Sequence, residues 1–207
     1  MSEKYRFDTM SLHSGHVPDK ETGSRAVPIY QTTSYVFKDT DEAAALYNME
    51  VGGHLYTRIS NPTIATLEQR LASLDGGVSC IACSSGMAAM HLVVSAICSS
   101  GDHIVASNKM YGANINLLQH TMTRFGIKTD FVNPNDLEEI EKSIKPNTKL
   151  VFGEVIGNPG LDVMNVPEVA KICKKKNVPL AIDATFNTPY LMKPISHGAN
   201  IVIHSLT

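Results

Sequence analysis

The chain has 207 residues, and 43% of them are hydrophobic, which is enough for a substantial core in one large domain or slightly more. Its 18 basic and 20 acidic residues are scattered and give a net charge of -2, so no continuous positive field is available for nucleic acid or an anionic membrane surface. The charged start at residues 1–6 lacks the apolar centre of a secretory signal, and the apolar run at 87–97 is too short to span a bilayer, which favours a cytosolic location.

Cysteine and histidine spacings give weak metal signals. The 4 cysteines are too few for a disulfide framework, and we expect free thiols. Cys80 and Cys83 have C-x-x-C spacing, but a strand is predicted there, so they would point to opposite faces, and no second pair completes a zinc site. His13 and His16 lie in a segment without helical pattern, which predicts a surface loop. We predict no metal site.

Residues 1–60 differ in pattern from the rest of the chain. They show no sustained hydrophobic period, and Pro28, Gly52 and Gly53 interrupt their apolar clusters. Such a segment could be disordered, but its aromatic residues favour packing against another surface. We therefore expect an N-terminal arm that contacts a neighbouring subunit, followed by one large domain over 61–207.

A helix is predicted directly after Asn61. This residue is a good N-cap, Pro62 suits the first helical position, and leucines at 67, 71 and 74 keep helical spacing up to Gly76. Strands are then predicted near 78–82, 103–106, 128–132, 149–155, 178–182 and 200–204, and helices from about 86, through 117–118, over 137–144 and over 167–176. This alternation predicts an α/β fold with a mostly parallel sheet, and its nearly unbroken apolar strands predict helices on both faces.

Polar residues follow several predicted strands at their carboxyl ends, where an open parallel sheet binds its ligand. Glu154 and Asp183 each end an apolar strand, and Ser205 and Thr207 follow another. The turn 83–87 is rich in small residues and opens a helix, so its free N–H groups could bind an anion, although an ordinary tight turn would look the same.

Together, these strand ends offer an anion site and a buried carboxylate. A carboxylate at the end of a buried strand is costly unless it meets a cation, and a protonated pyridine nitrogen is one such partner. The combination predicts a pyridoxal 5'-phosphate (PLP) site.

Six segments occur in the order typical of a known family. They are "YTRISNPT", "SSGMAA", "YGANIN", "GEVIGNPGLDVMN", "AIDATFNTP" and "HSLT". The chain therefore resembles the Cys/Met-metabolism family of PLP-dependent enzymes over nearly its whole length. The resemblance implies PLP-dependent transferase fold type I, the aspartate aminotransferase-like fold, in which helices cover both faces of the sheet.

The resemblance also implies roles for individual residues. Phosphate contacts are implied for Ser85, Gly86, Met87, Ser205 and Thr207. Tyr111 would stack on the pyridine ring and assist proton transfers, Asp183 would pair with the ring nitrogen, and Asn158 would contact the ring hydroxyl oxygen. Tyr56 and Arg58 would reach the phosphate of a neighbouring subunit, which implies a homodimer or homotetramer. In the family, "HSLT" is followed at once by the lysine that forms the Schiff base with the cofactor, so we expect a lysine directly after Thr207.

Within the family, "IGNPGLDV" and "HSLT" are typical of the O-acetylhomoserine sulfhydrylase branch. That branch replaces the acetate of O-acetyl-L-homoserine with sulfide or a thiol. A methionine γ-lyase, or a cystathionine γ-synthase or γ-lyase, is the nearest alternative, although the segment Tyr111-Gly112-Ala113 has no cysteine where methionine γ-lyases often carry one next to the substrate. A non-catalytic phosphate-binding domain is a more distant alternative. Ala184 stands where relatives commonly have asparagine, which puts any contact from that side chain in doubt.

Overall fold

The computed structural model describes residues 5–207, so the first four residues of the charged start lie outside it. The chain divides into two compact units, one up to Ala82 and one from Cys83 onward. The first unit contains helices α1 (Phe7–His13), α2 (Thr40–Tyr47) and α3 (Pro62–Asp75). The second contains five strands and the remaining helices.

The first unit is organised around the start of α3. The Asn61 side chain caps this helix by accepting a hydrogen bond from the Thr63 N–H at 2.9 Å, and Gly76 ends it in a left-handed conformation. This confirms the predicted helix. The Asn61 amide group also donates to the Tyr30 carbonyl oxygen, the Tyr35 hydroxyl and the Thr57 hydroxyl, at 2.8, 3.1 and 3.1 Å. The irregular segment before α3 is therefore fastened to the helix by side-chain hydrogen bonds.

Two sequence expectations for the first unit are wrong, and its two short helices were not predicted. Residues 78–82 form no strand, because Val78 and Ile81 are exposed and the Ala82 N–H donates to Glu68 Oε1 at 2.8 Å instead of to a neighbouring strand. Helix α1 ends at His13, which is therefore not in a loop. Helix α2 was also missed, although Asp39 caps it by accepting from the Glu42 N–H, and the Glu42 side chain accepts from the Lys38 N–H just before the cap.

The second unit contains a parallel sheet in the order β2-β1-β3-β4-β5. Its strands are β1 (His103–Ser107), β2 (Lys128–Val132), β3 (Thr148–Glu154), β4 (Leu180–Asp183) and β5 (Ile201–Ile203). Its helices are α4 (Gly86–Ile97), α5 (Gly112–Asn116), α6 (Leu137–Ser143), α7 (Val166–Lys176) and α8 (Thr188–Leu191). A π-helical turn and two short 3-10 helices occupy Leu117–Thr121, Met122–Phe125 and Pro194–His197. The predicted α/β fold is confirmed.

Both faces of this sheet are buried, as the apolar strands predicted. Alternate residues along the strands point to opposite faces. One face packs with α4 and the segment after α5 through Ile104, Phe152, Met90 and Leu118. The other face packs with α6 and α7 through Val105, Val151, Ile182, Ile140 and Val169. Helix coverage of both faces leaves the strand ends as the open part of the sheet, and that is where the polar residues lie.

Candidate active site

The carboxyl ends of β1, β3, β4 and β5 form one edge of the sheet. The chain passes from β1 to β2 on one side and then to β3 on the other, so β1 and β3 enclose the point where the winding direction changes. Ligands of doubly wound sheets bind outside such a point. Tyr111 follows β1 there, and Glu154 ends β3.

The predicted phosphate residues lie where α4 meets the end of β5. Ser85 caps α4, accepting a hydrogen bond from the Ala88 N–H at 3.1 Å, which leaves the N–H groups of Gly86 and Met87 without acceptors within residues 5–207. A Cβ placed on Gly86 would lie 2.8 Å from the Ser205 Cβ, so only glycine allows this approach. Ser205 Oγ in turn donates to Thr207 Oγ1 at 3.0 Å. Free N–H groups and hydroxyls thus meet at one helix N-terminus.

Asp183 lies at the end of β4 and is half-buried. Its Oδ1 accepts a hydrogen bond from the Thr185 N–H at 2.9 Å, whereas Oδ2 has no hydrogen-bond donor among residues 5–207. One carboxylate oxygen is therefore fixed by the backbone and the other is available to a ligand.

Thr185 connects Asp183 to the phosphate residues and was not among the predicted site residues. Its N–H holds Asp183, while its Oγ1 accepts a hydrogen bond from the Ser205 N–H at 2.9 Å. The sequence could have pointed to the first of these bonds, because an aspartate side chain commonly accepts from the backbone N–H two residues later, but no spacing rule predicts the bond to Ser205. A continuous set of contacts thus runs from Asp183 through Thr185 and Ser205 to Gly86.

Tyr111 and Asn158 lie in the loops after β1 and β3. The Tyr111 side chain is half exposed, and its backbone N–H donates to Glu154 Oε1 at 2.8 Å. The Asn158 N–H donates to Glu154 Oε2 at 3.3 Å, while its side chain makes no hydrogen bond within the described residues. Both side chains are therefore available at this edge of the sheet.

Glu154 is the buried acidic group of the site. It was noted in the sequence as a strand end but was given no role. It is paired in register with Asp183 on the adjacent strand. Burial raises the pKa of the Glu154 carboxyl, and the charge of Asp183 raises it further, against the hydrogen bonds that stabilise the carboxylate.

Ala184 is fully buried in the apolar core cluster that contains Val169 and Ile182. Asp183 and Thr185 flank it in sequence and are both only partly buried. An asparagine at position 184 would place its amide group among these apolar side chains in this chain.

Tyr56 and Arg58 belong to the first unit and lie together on its surface. The Arg58 guanidinium carbon lies 5.5 Å from the centre of the Tyr56 ring, within the range of a cation–π contact. Both side chains are exposed.

Other features of the described residues lie apart from this edge. No group of three metal-ligating side chains is present in residues 5–207, and no helix there is long and apolar enough to cross a membrane. No disulfide joins the four cysteines. A groove of about 660 Å³ lies beside Lys171, Lys174 and Asn200, at the amino ends of β4 and β5.

Three comparisons relate the chain to known proteins. The sequence profile of the family "Cys/Met metabolism PLP-dependent enzyme" matches residues 8–207. An O-acetyl-L-homoserine sulfhydrylase from Leptospira meyeri is 47% identical over 207 residues, which is 100% of this chain and 47% of that protein. An L-methionine gamma-lyase from Treponema denticola is 37% identical over 207 residues, covering 99% of this chain and 51% of that protein.

A solved structure also matches the chain. The crystal structure of a Campylobacter jejuni protein assigned as an O-acetylhomoserine (thiol)-lyase matches with a TM-score of 0.94 and 39% identity, covering 98% of this chain and 50% of that one. That structure contains N'-pyridoxyl-lysine-5'-monophosphate. The chain spans about half the length of the curated relatives it matches.

Proposed function

The chain belongs to the Cys/Met-metabolism family of PLP-dependent enzymes, and from this premise we propose that the full-length protein is an O-acetyl-L-homoserine sulfhydrylase. It would replace the acetate of O-acetyl-L-homoserine with sulfide or a thiol and give homocysteine or its analogue, a step in methionine biosynthesis. The observation that carries the proposal is the 47% identity to such an enzyme over all 207 residues, combined with a set of polar contacts at the carboxyl edge of the sheet.

The residues at this edge fit PLP. The free N–H groups of Gly86 and Met87, with the hydroxyls of Ser205 and Thr207, match the acceptor oxygens of a phosphate dianion at a helix N-terminus. The unpartnered oxygen of Asp183 suits a protonated pyridine nitrogen, which would offset the cost of a half-buried carboxylate. An added Cβ on Gly86 would collide with Ser205, so the glycine brings the N–H groups of the helix start directly against the Ser205 side chain.

Each residue then has a distinct role. When bound, PLP supplies an electron-accepting ring for the substrate's α-carbon chemistry. Asp183 would keep the ring nitrogen protonated, and the Thr185 N–H would hold Asp183 in place. Tyr111 would cover one face of the ring, and Asn158 would orient it through the ring oxygen. The lysine expected directly after Thr207 would move protons at the α- and β-carbons of the substrate.

We further propose that the active form is a homodimer or homotetramer in the cytoplasm. Tyr56 and Arg58 are exposed together and would contact the phosphate in a neighbouring subunit. Subunit mixing tests this role. An inactive Arg58→Ala variant mixed with a variant that lacks the catalytic lysine should regain part of the activity, because some hybrid sites carry both intact groups. No recovery, with subunit exchange demonstrated, would mean that Arg58 acts within its own chain.

The alternative is γ-elimination, as in methionine γ-lyases. Two observations favour γ-replacement. The segment Tyr111-Gly112-Ala113 contains no cysteine, and the identity to the Treponema denticola lyase is lower than that to the sulfhydrylase. Purified full-length protein supplied with O-acetyl-L-homoserine and sulfide should form homocysteine. Release of ammonia and a keto acid as the main products would contradict the proposal and support the lyase. Absence of a PLP absorbance band that borohydride removes would instead support a non-catalytic phosphate-binding domain.

A further inference from the structure

Glu154 lies where the winding direction of the sheet changes, between the loops that follow β1 and β3. Its side chain is 7% exposed, so it is removed from water although it carries an ionisable group. No lysine, arginine or histidine forms an ion pair with it among residues 5–207. A buried carboxylate without a cation is costly, so its hydrogen bonds must account for its presence.

The hydrogen bonds of Glu154 reach both loops. Oε1 accepts from the Tyr111 N–H at 2.8 Å and from Asn114 Nδ2 at 3.1 Å. Oε2 accepts from the Asn158 N–H at 3.3 Å. One carboxylate therefore holds the backbone of Tyr111 and of Asn158, the two residues expected to contact the face and the hydroxyl oxygen of the cofactor ring.

Backbone packing joins the same two loops. A Cβ on Gly157 would collide with the carbonyl oxygen of Lys109, so the loop after β3 lies directly against the loop after β1. Asn114, which donates to Glu154, is itself 2% exposed. The two loops are thus joined both by direct backbone packing and by the hydrogen bonds of Glu154.

We propose that Glu154 is a positioning residue that fixes Tyr111 and Asn158 relative to each other and so aligns the ring-binding side chains. The inference rests on the proposed function, since it assumes that these two side chains contact PLP. Glu154 itself contacts neither substrate nor cofactor in this proposal. It acts through two backbone N–H groups.

A carboxylate suits this position better than an amide. All three groups that face Glu154 are donors, and a carboxylate offers acceptors on both oxygens. In Glu154→Gln, one terminal atom becomes an NH₂ donor and faces a backbone N–H. The variant keeps the size of the side chain but cannot hold both loops.

Hydrogen exchange of the cofactor-free full-length protein tests directly whether Glu154 fixes the loops after β1 and β3. In Glu154→Gln, we expect amides in segments 109–116 and 156–160 to exchange about tenfold faster, since a hydrogen bond to a charged group is lost. The matched control is Glu139→Gln, because the exposed Glu139 accepts one backbone N–H, from Asn133 at 2.9 Å, away from these loops. The control should leave both segments unchanged.

If Glu154→Gln does not fold, Asn114→Ala serves as a milder variant. It removes one donor and keeps Glu154, and it should give a smaller increase confined to the same two segments. A uniform increase across the chain in either variant would overturn the proposal, because it would show a general stabilising role.

Kinetics of the PLP-loaded protein complete the test. Misplacement of the ring contacts should lower kcat of Glu154→Gln by about 10- to 100-fold with a smaller change in KM. Unchanged kcat and unchanged exchange would overturn the proposal. If the wild type neither binds PLP nor converts O-acetyl-L-homoserine, the proposed function fails, whereas the exchange result still decides whether Glu154 holds the two loops.

Discussion

The two compact units of this chain are stabilised by different means. The unit from Cys83 onward has a parallel sheet whose faces pack against helices, and its central strands β1, β3 and β4 are buried along nearly their whole length. The unit up to Ala82 contains a network of hydrogen bonds that side chains make to backbone groups and to hydroxyls, with Asn61 at its centre. Burial of both sheet faces leaves continuous apolar runs in the sequence, whereas a network around one asparagine leaves no such pattern.

The largest effect is expected at the functional edge of the sheet. Replacement of Asp183 by alanine should lower kcat about 100- to 1000-fold, because the group that would keep the ring nitrogen protonated is lost. PLP should still bind through the phosphate residues. Steady-state kinetics and the PLP absorbance band measure the two effects. Turnover close to wild type would contradict the role of Asp183.

The core of the sheet is the next most sensitive region. Phe152 is fully buried on β3, so Phe152→Ala should lower the free energy of unfolding by about 3–5 kcal/mol. Phe186 is 50% exposed, and Phe186→Ala is the matched control with a much smaller expected loss. Urea unfolding measures both. Equal losses would show that burial in the described sheet does not decide stability.

The contrast between the units can be tested with two helix N-caps. Asn61→Ala should cost about 2–4 kcal/mol, since it removes the cap of α3 and the part-buried contacts in which the two hydrogens of the amide are shared among three acceptors. Asn165→Ala should cost about 1 kcal/mol or less, because exposed Asn165 only caps α7, through the Glu168 N–H at 3.4 Å. Urea unfolding with hydrogen exchange gives both values. Similar losses would mean that the Asn61 network adds nothing beyond capping.

The smallest effect is a change in pH dependence. The pKa of Glu154 is raised above its ordinary value of 4.5 by burial and by Asp183, so its stabilising contribution is present below 4.5 and is lost as pH rises through the folded-state pKa. Glu154→Gln lacks this titration. The free energy of unfolding of the variant minus that of the wild type should therefore increase with pH across this window. Urea unfolding of the cofactor-free proteins at several pH values measures it, and parallel curves would contradict it.

Much of the sheet could be predicted because the central strands β1, β3 and β4 are buried along nearly their whole length, whereas β2 begins with the polar residues Lys128, Thr129 and Asp130. The same signal failed at 78–82, where an apolar run has no partner strand among the described residues and Val78 remains exposed. Helices α1 and α2 were missed because they are short and contain few buried residues, with Met10 the buried member of α1 and none in α2. An apolar pattern identifies candidates for burial, but pairing decides which of them form strands.

The candidate site shows a similar division. Strand-end position and the family resemblance singled out Asp183, Ser85 and Ser205. The sequence did not assign roles to Glu154 or Thr185, because their function depends on hydrogen bonds to backbone N–H groups of residues 43 and 20 positions away, respectively. Such contacts leave no spacing rule in the chain. Residues that hold other residues are therefore harder to find in a sequence than those that face a ligand.

The close approach of Gly86 to Ser205 has a consequence for assembly of the protein. These residues lie at opposite ends of the second unit in sequence, so their contact closes a long loop and depends on prior docking of β5 beside β4. The anion site, formed by the N–H groups of Gly86 and Met87 with the hydroxyls of Ser205 and Thr207, is therefore incomplete until β5 has docked. A cofactor that binds only the complete anion site would stabilise the state in which β5 is docked on the sheet. Its binding would therefore be the last step in the folding of this unit.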